Sequence, residues 1–168
     1  HLKVLFAPDP YPAYGQCVHR IAMDAENPEL LYAQNHGGVY RSHDAGTSWQ
    51  SIAAGLPADF GFVVLAHPTR AGSAWVIPID DNTMLPPEGR LRLWRTYDSG
   101  ESWEEVGDGL PNDHFASVLR DAAHVIDLDG TAAIAFGTRN GSVYADEGET
   151  FDEVTHRLPD VLSVRLSA

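Results

Sequence analysis

The hydrophobic positions of the chain come in short runs that turn residues interrupt. Runs such as 30–33, 74–79 and 132–136 are rich in aliphatic and aromatic side chains, and Gly, Asn, Asp and Pro stand between them. Apolar runs of about four to eight residues between turn residues predict β-strands. No stretch of about ten residues keeps a helical spacing of apolar positions, so we predict an all-β protein.

Three copies of one motif recur along the chain. Asp44 and Asp98 are each followed by Gly two residues later, by Trp after five residues and by Pro after thirteen. Around Asp146 a shorter copy keeps the same spacing to an aromatic residue and to a Pro. A repeat of about 40 to 50 residues that holds four strands is typical of a β-propeller blade. We therefore predict a single partial propeller over 1–168, with a leading segment (1–16), blade one (17–57), blade two (60–111), blade three (115–159) and an extra C-terminal strand (161–167).

The motif itself predicts a tight hairpin between the third and fourth strands of each blade. The Asp carboxylate accepts backbone N–H groups, the Gly takes a left-handed conformation, and the aromatic ring packs between neighbouring sheets. The residues that we assign to this structural role are Asp44, Gly46, Trp49, Asp98, Gly100, Trp103, Asp146, Gly148 and Phe151. The third copy lacks two residues before its Asp, so we expect a tighter and less regular hairpin there.

The pattern S-x-D-x-G-x-[ST]-W resembles the Asp-box, or BNR repeat, of sialidases, sortilin-type receptors and related glycoside hydrolases. Segments 14–19, 34–40 and 118–122 are similar to the C-terminal half of bacterial BNR-repeat propellers that carry glycosyl hydrolase or sialidase-like names. This resemblance covers most of the chain. It implies the last three blades of a propeller and a hydrolase-like protein.

Three blades do not close a propeller, which has about four to eight. The outer blades would each leave an apolar face in water. We therefore expect either a fragment of a longer propeller or symmetric association of identical chains, with a homodimer first and a trimer next.

The composition of the chain narrows the classes of molecule that it could bind. With 11 basic and 24 acidic residues the formal net charge is −13, which excludes nucleic acid and an anionic membrane surface as the main partner. There is no apolar run long enough for a membrane-spanning helix. The single cysteine, Cys17, cannot form an internal disulfide, and we expect it to lie half-buried in a strand. The cellular compartment stays open.

Candidate chemistry gathers in the loops that open at the channel mouth of a propeller. We predict that His19 and His36 hold a divalent metal such as Zn²⁺, with His114 or Asp121 as a further ligand. A metal-bound water would then attack an ester, phosphoester or glycosidic bond. The predicted catalytic residues are His19, His36, Arg120 and Asp121, and the predicted substrate-binding residues are Asn35, Asp80, Arg90 and Arg139.

Three other interpretations stay open. His19 and His36 would, in the first, only hydrogen-bond loop backbone. In the second, loop carboxylates such as Asp80 and Glu88 cleave a glycosidic bond while arginines hold an anionic sugar, although no FRIP-like motif of sialidases is present. In the third, the chain is a non-catalytic module that binds a glycan or a peptide, or a fragment whose main property is assembly.

Overall fold

Three four-stranded antiparallel sheets make up the computed structural model, which describes residues 17–146, 148 and 150–167. In each sheet the four strands neighbour one another in chain order. The first sheet holds β1 (Val18–Met23), β2 (Leu31–Asn35), β3 (Gly38–Ser42) and β4 (Gln50–Ser51). The second holds β5 (Gly61–Ala66), β6 (Ala74–Pro78), β7 (Leu93–Thr96) and β8 (Glu104–Val106). The third holds β9 (Ala123–Leu128), β10 (Thr131–Gly137), β11 (Val143–Asp146) and β12 (Phe151–Thr155). These are the three predicted blades, and the leading segment lies outside the described residues.

Helix is confined to one short turn in the described part of the chain. A 3-10 turn covers Pro87–Gly89, within the loop between β6 and β7. No helix there is long and apolar enough to cross a membrane.

The first strands of the blades lie side by side, since β1 contacts β5 and β5 contacts β9. From the apolar runs we expect these first strands over 18–23, 62–67 and 117–125. The first is confirmed in β1, and the second begins one residue earlier in β5. The third, predicted over 117–125, was placed too early, because the N–H of Ala122 donates to the carbonyl of Leu119 and turns the chain before β9 begins. The preceding run is apolar because Val118 and Ala122 pack in the core between blades two and three.

The blades pack face to face. Between blades two and three, Leu65, Trp75, Leu93, Phe136 and Phe151 belong to one buried apolar cluster. A second buried cluster joins blades one and two and includes Tyr32, Val39, Ile52, Val64 and Val76. Strand β6 is buried along its whole length, because a blade between two others has both of its faces covered.

Two of the three motif hairpins have the same hydrogen bonds. In the first, the Asp44 carboxylate accepts from the Ser42 and Ser48 hydroxyls at 2.7 and 2.6 Å and from the Ser48 N–H at 2.7 Å. In the second, Asp98 accepts in the same way from Thr96 and from the hydroxyl and N–H of Ser102. Gly46 and Gly100 have φ of +90° and +89°, the predicted left-handed conformation.

The third hairpin corrects the structural role that we gave to Asp146. This residue is the last of β11, where it pairs with Phe151, and its buried carboxylate accepts the N–H of Ile134 from the adjoining strand at 2.8 Å. This bond ties the carboxylate to the sheet, in the motif copy that has two residues fewer before its Asp. Gly148 keeps a positive φ of +152°, and the Phe151 ring packs in the core between blades two and three.

The C-terminal segment over 161–167 runs along the first strand of blade three. Ser163 forms a parallel bridge with Asp121, and the N–H of Val164 donates to the carbonyl of Asp121 at 3.0 Å. The first strand of a following blade would run in this same direction.

Candidate functional site

Register brings three potential metal ligands together at the end of the first sheet. Strand β1 pairs with β2 so that Val18 lies opposite Asn35. Cys17 and His19 flank Val18, and His36 directly follows Asn35, so all three lie where these two strands meet. Their ligand atoms are within 4.8 Å of one another, and they form the one group of three such residues found in the described part of the chain.

His19 is held by hydrogen bonds through both ring nitrogens. The ring is buried, and Nδ1 lies 2.6 Å from the carbonyl oxygen of Gly61, the first residue of blade two. A carbonyl only accepts, so this contact assigns the proton to Nδ1 and leaves a lone pair on Nε2. That Nε2 lies 3.1 Å from Nδ1 of His36. Metal-bound histidines usually have one ring nitrogen on a backbone carbonyl and the other on the metal, so a metal at this site would replace the contact between His19 and His36.

Burial keeps His19 neutral. Burial is the main cause that lowers the pKa of His19 to about 4; the hydrogen bond to Gly61 opposes it, and the nearby His36 and Arg120 add to it. The rings of Phe60 and Phe62 stand 5.4 and 4.7 Å from the imidazole ring, which explains the poor access of water. A neutral imidazole at neutral pH is the form that binds a metal.

The spacing of the two imidazole nitrogens is close to that around a tetrahedral ion, and the Cys17 sulfur lies within 4.8 Å of both. Two imidazole nitrogens bound to one Zn²⁺ are separated by about 3.4 Å, and a thiolate sulfur lies about 3.6 Å from each of them. The separation of 3.1 Å between His19 and His36 therefore needs to widen by only a few tenths of an ångström. Cys17 is exposed and His36 half-buried, so a fourth coordination position would face solvent.

Cys17 takes the place that the sequence analysis gave to His114 or Asp121, and its exposure corrects the expectation of a half-buried cysteine. His114 lies outside the group; its buried ring contacts Tyr144 at 5.9 Å, and its Nε2 has no hydrogen-bond partner among the residues described. Asp121 also lies outside it and faces Arg165 across 3.4 Å. The predicted three-histidine arrangement is therefore not formed in this structure.

Arg120 lies beside the group. Its guanidinium stands 5.1 Å over the ring of Phe62, which also contacts His19, and within the described ranges no carboxylate pairs with it. Arg20, which follows His19 on β1, reaches blade three and donates to the carbonyls of Arg120 and Ala123 at 2.7 and 3.0 Å. Blade one thus contacts blade two through His19 and blade three through Arg20.

The four predicted substrate-binding residues serve local structure. Asn35 is fully buried and accepts the N–H of Gly37 at 2.7 Å, within the turn after β2. The Asp80 carboxylate accepts the N–H groups of Asn82 and Thr83, and these bonds lower its pKa. Arg90 pairs with Glu105 at 2.7 Å and Arg139 with Asp160 at 3.1 Å. Asn35 lies beside the group formed by Cys17, His19 and His36, because it precedes His36 and pairs with Val18, whereas Asp80, Arg90 and Arg139 make their bonds elsewhere.

Cys17 was not among the predicted metal ligands, although its position in the chain carries a usable signal. Residues i and i+2 of a strand project from the same face, so Cys17 and His19 around the start of β1 present sulfur and imidazole to one side. A histidine directly after the paired strand completes that pattern. Gly61 carries no such signal, because it contributes only a backbone carbonyl from a different blade.

Comparison with known proteins supports the propeller fold, and each sequence match covers only a small part of the relative. No family model matches the chain. It is 30% identical over 141 residues to a xyloglucanase from Paenibacillus sp, which is 75% of this chain and 13% of that protein. It is 27% identical over 100 residues to vacuolar protein sorting/targeting protein 10 of Pyrenophora tritici-repentis, 60% of this chain and 6% of that protein. The chain thus spans only a small part of the curated relatives that it matches.

Solved structures give the same picture. An ancestral GH74 enzyme superposes with a TM-score of 0.58 at 17% identity, over 82% of this chain and 18% of that one. YCF48 from Cyanidioschyzon merolae superposes with a TM-score of 0.54 at 17% identity, over 84% of this chain and 41% of that one. The fold is that of propeller blades, and the chain is similar to propellers of glycoside hydrolases.

Proposed function

We propose that this chain contributes Asp-box blades to a hydrolase-like propeller whose active site is a metal held by Cys17, His19 and His36. The observation that carries the proposal is the convergence of these three ligand atoms within 4.8 Å. The neutral, carbonyl-anchored imidazole of His19 supports it, because that ring needs no deprotonation and little reorientation to bind.

The chemistry follows from the number of ligands. Three protein ligands and an open fourth position are typical of catalytic zinc sites, in which the bound water becomes a nucleophile near neutral pH. Cys17 and His36 lie on the solvent side, so a substrate would approach over them while Phe60 and Phe62 shield the far side of His19. Arg120, beside Phe62, would stabilise negative charge that develops on an ester, phosphoester or sugar oxygen.

A hydrolase is favoured over electron transfer or transport because the ligand set is incomplete and open to solvent. The similarity to propeller glycoside hydrolases is consistent with this class and leaves the substrate undefined. The repeated hairpins at Asp44 and Asp98 support the Asp-box assignment, since both carboxylates accept the same set of bonds. Burial changes the pKa of these exposed carboxylates little, and the hydrogen bonds lower the pKa of Asp44 and of Asp98 to about 2.

Metal content and turnover test the proposal together. The protein is stripped with a chelator, dialysed against zinc or cobalt, and assayed on p-nitrophenyl esters and phosphates. We expect one metal per chain, a thiolate-to-cobalt absorption band, and hydrolysis that the chelator abolishes. C17S should remove the band, and H19Q and H36Q should lower the bound metal by more than tenfold. The control is H43Q, since His43 is an exposed histidine of the first motif hairpin. Metal content no higher than that of C17S overturns the site, and binding without turnover overturns the hydrolase.

Self-association stays a prediction. Ile21 and Met23 of β1 and Val154 of β12 are 53%, 60% and 64% exposed, so the outer blades still present apolar side chains to solvent. Light scattering on eluted peaks should show a dimer, and a compact monomer at about 0.1 mM would contradict it.

A further inference from the structure

A cavity separate from the group formed by Cys17, His19 and His36 lies between blades one and two, beside the loop between β6 and β7. Its volume is about 210 Å³, and its floor carries Trp94 of β7. Pro57, Pro78 and Pro87, from three separate segments, form apolar walls around it. None of the residues that line it belongs to the group formed by Cys17, His19 and His36.

Strand register places polar groups beside the indole ring. Glu105 of β8 lies directly opposite Trp94 in the sheet, and Arg92 precedes Trp94 by two residues, so all three project from the same face. Glu105 accepts from Arg90 at 2.7 Å and lies 3.4 Å from Arg92. The cavity therefore offers one aromatic face, with fixed donors and a fixed acceptor at its edge.

The rim of the cavity is held in place by blade three. Glu88 has a φ of +57°, a conformation that costs a non-glycine residue energy and is kept only where the surroundings enforce it. The enforcing contacts are next to it, because the N–H of His114 donates to the carbonyl of Gly89 at 2.7 Å and a Cβ at Gly89 would clash with Phe115. The backbone at Glu88 is thereby held at the edge of the cavity, and the exposed Glu88 side chain lines it.

The mixture of charges selects the ligand. Glu88 and Glu105 disfavour an anion, and Arg90 and Arg92 disfavour a cation, so a neutral ligand fits best. A neutral ligand also avoids repulsion by the net charge of −13. Hydroxyl groups both donate and accept and so match an Arg–Glu pair, and the apolar C–H face of a sugar ring matches an indole face. The volume is below that of sites for drug-sized molecules, about 300 to 1,000 Å³, and is suited to a single ring.

We infer that this cavity binds one neutral sugar ring, stacked on Trp94 and hydrogen-bonded to Arg90 and Glu105. Arg92 already donates to the carbonyls of Leu110 and Pro111, so it positions Glu105 and does not bond the ligand. The inference is independent of the metal site, and its test uses the metal-free protein. Binding of a sugar in this cavity would attach the propeller to a carbohydrate surface, whichever reaction the metal site performs.

Saturation-transfer NMR with methyl glycosides of glucose, galactose, xylose and arabinose tests the inference. We expect transfer to the ring C–H protons of at least one of them, with a dissociation constant near 1 mM. W94A should weaken binding about tenfold or more. R90A should do so while leaving the fold intact, because Arg90 is half-exposed and, among the described residues, its side chain pairs with Glu105 alone. The matched control is Y97A, since Tyr97 is an exposed aromatic residue outside the cavity, under Arg70 and Arg95.

Several results would overturn the inference. They are absence of transfer from all four glycosides, binding that R90A and a folded W94A leave unchanged, or loss of binding with Y97A as well. Binding of a proline-rich peptide that W94A abolishes, with no binding of sugar, would reassign the cavity to peptide recognition. Circular dichroism establishes folding, and if W94A does not fold, R90A alone decides the outcome.

Discussion

The buried imidazole of His19 should make the stability of the fold depend on pH. Its pKa is about 4 in the folded chain against 6.5 for a free histidine. Between about pH 6.5 and pH 4, His19 binds a proton in the unfolded chain but not in the folded chain. The contribution of His19 to the unfolding free energy is therefore fully present above pH 6.5 and is lost as the pH falls to 4. The difference in pKa corresponds to about 3 kcal/mol of unfolding free energy across that interval.

The variant H19Q isolates this contribution. Burial also lowers the pKa of His67, His114 and His124, so the wild-type protein loses stability in acid for several reasons. Subtracting the unfolding free energies of H19Q from those of the wild type at pH 7.5, 6.5, 5.5 and 4.5 cancels the other histidines. We expect this difference to fall by about 3 kcal/mol between the highest and the lowest pH.

Urea unfolding in the presence of a chelator is the appropriate assay, because bound metal would add its own pH dependence. The exposed His43 provides the matched control, and H43Q should follow the wild type at every pH. Parallel wild-type and H19Q curves would refute the argument, since they would mean that the imidazole titrates alike in both states. A curve that steepens only when zinc is added would place the pH dependence in metal binding instead.

Two further predictions concern the packing of the blades. The Trp103 Nε1–H donates to the buried carbonyl of Ile52 in blade one at 2.7 Å, whereas the equivalent Trp49 donates to Gly46 in its own hairpin. Urea midpoints should therefore show W103F losing about 1–2 kcal/mol and W49F less, and equal losses would refute an inter-blade role. A Cβ at Gly141 would lie 1.8 Å from the carbonyl oxygen of Leu158, but one at Gly55 would meet nothing within 4 Å, although φ is +87° and +91°. Thermal unfolding should show G55A losing about 1 kcal/mol for backbone strain and G141A about 1–3 kcal/mol more, and similar melting temperatures would contradict the packing.

Much of the fold was predictable because its determinants are local. A repeated Asp, Gly and aromatic residue at constant spacing specifies a hairpin, and the hairpins at Asp44 and Asp98 form as expected. The failure at Asp146 lies in the motif copy that has two residues fewer before its Asp, where the carboxylate accepts the N–H of Ile134. The misplaced first strand of blade three arose because apolar residues such as Val118 pack in the core without belonging to a strand.

The candidate site was predictable only in part, because its geometry depends on contacts between blades. Strand pairing brings His36 to His19, and both residues were predicted to act together. His114 was placed with them on the assumption that all channel-mouth loops converge, but its ring packs on Tyr144 within blade three. The acidic partners of the two arginines were also not predictable from the sequence, since Arg90 and Arg139 pair with acids 15 and 21 residues away.

The geometry of the candidate site and the packing of the three blades thus depend on each other. His19 is oriented by a carbonyl of blade two, and the next residue, Arg20, is anchored on two carbonyls of blade three. These two successive residues lie where the register of β1 on β2 shifts, and β1 keeps both contacts only while all three blades pack together. Loosening the blades would free the His19 ring and remove the burial that lowers its pKa, so that protons would compete with a metal for this ring below about pH 6.5. Metal binding should therefore stabilise the packing between blades as well as the group of ligands itself, because the two equilibria share the orientation of His19.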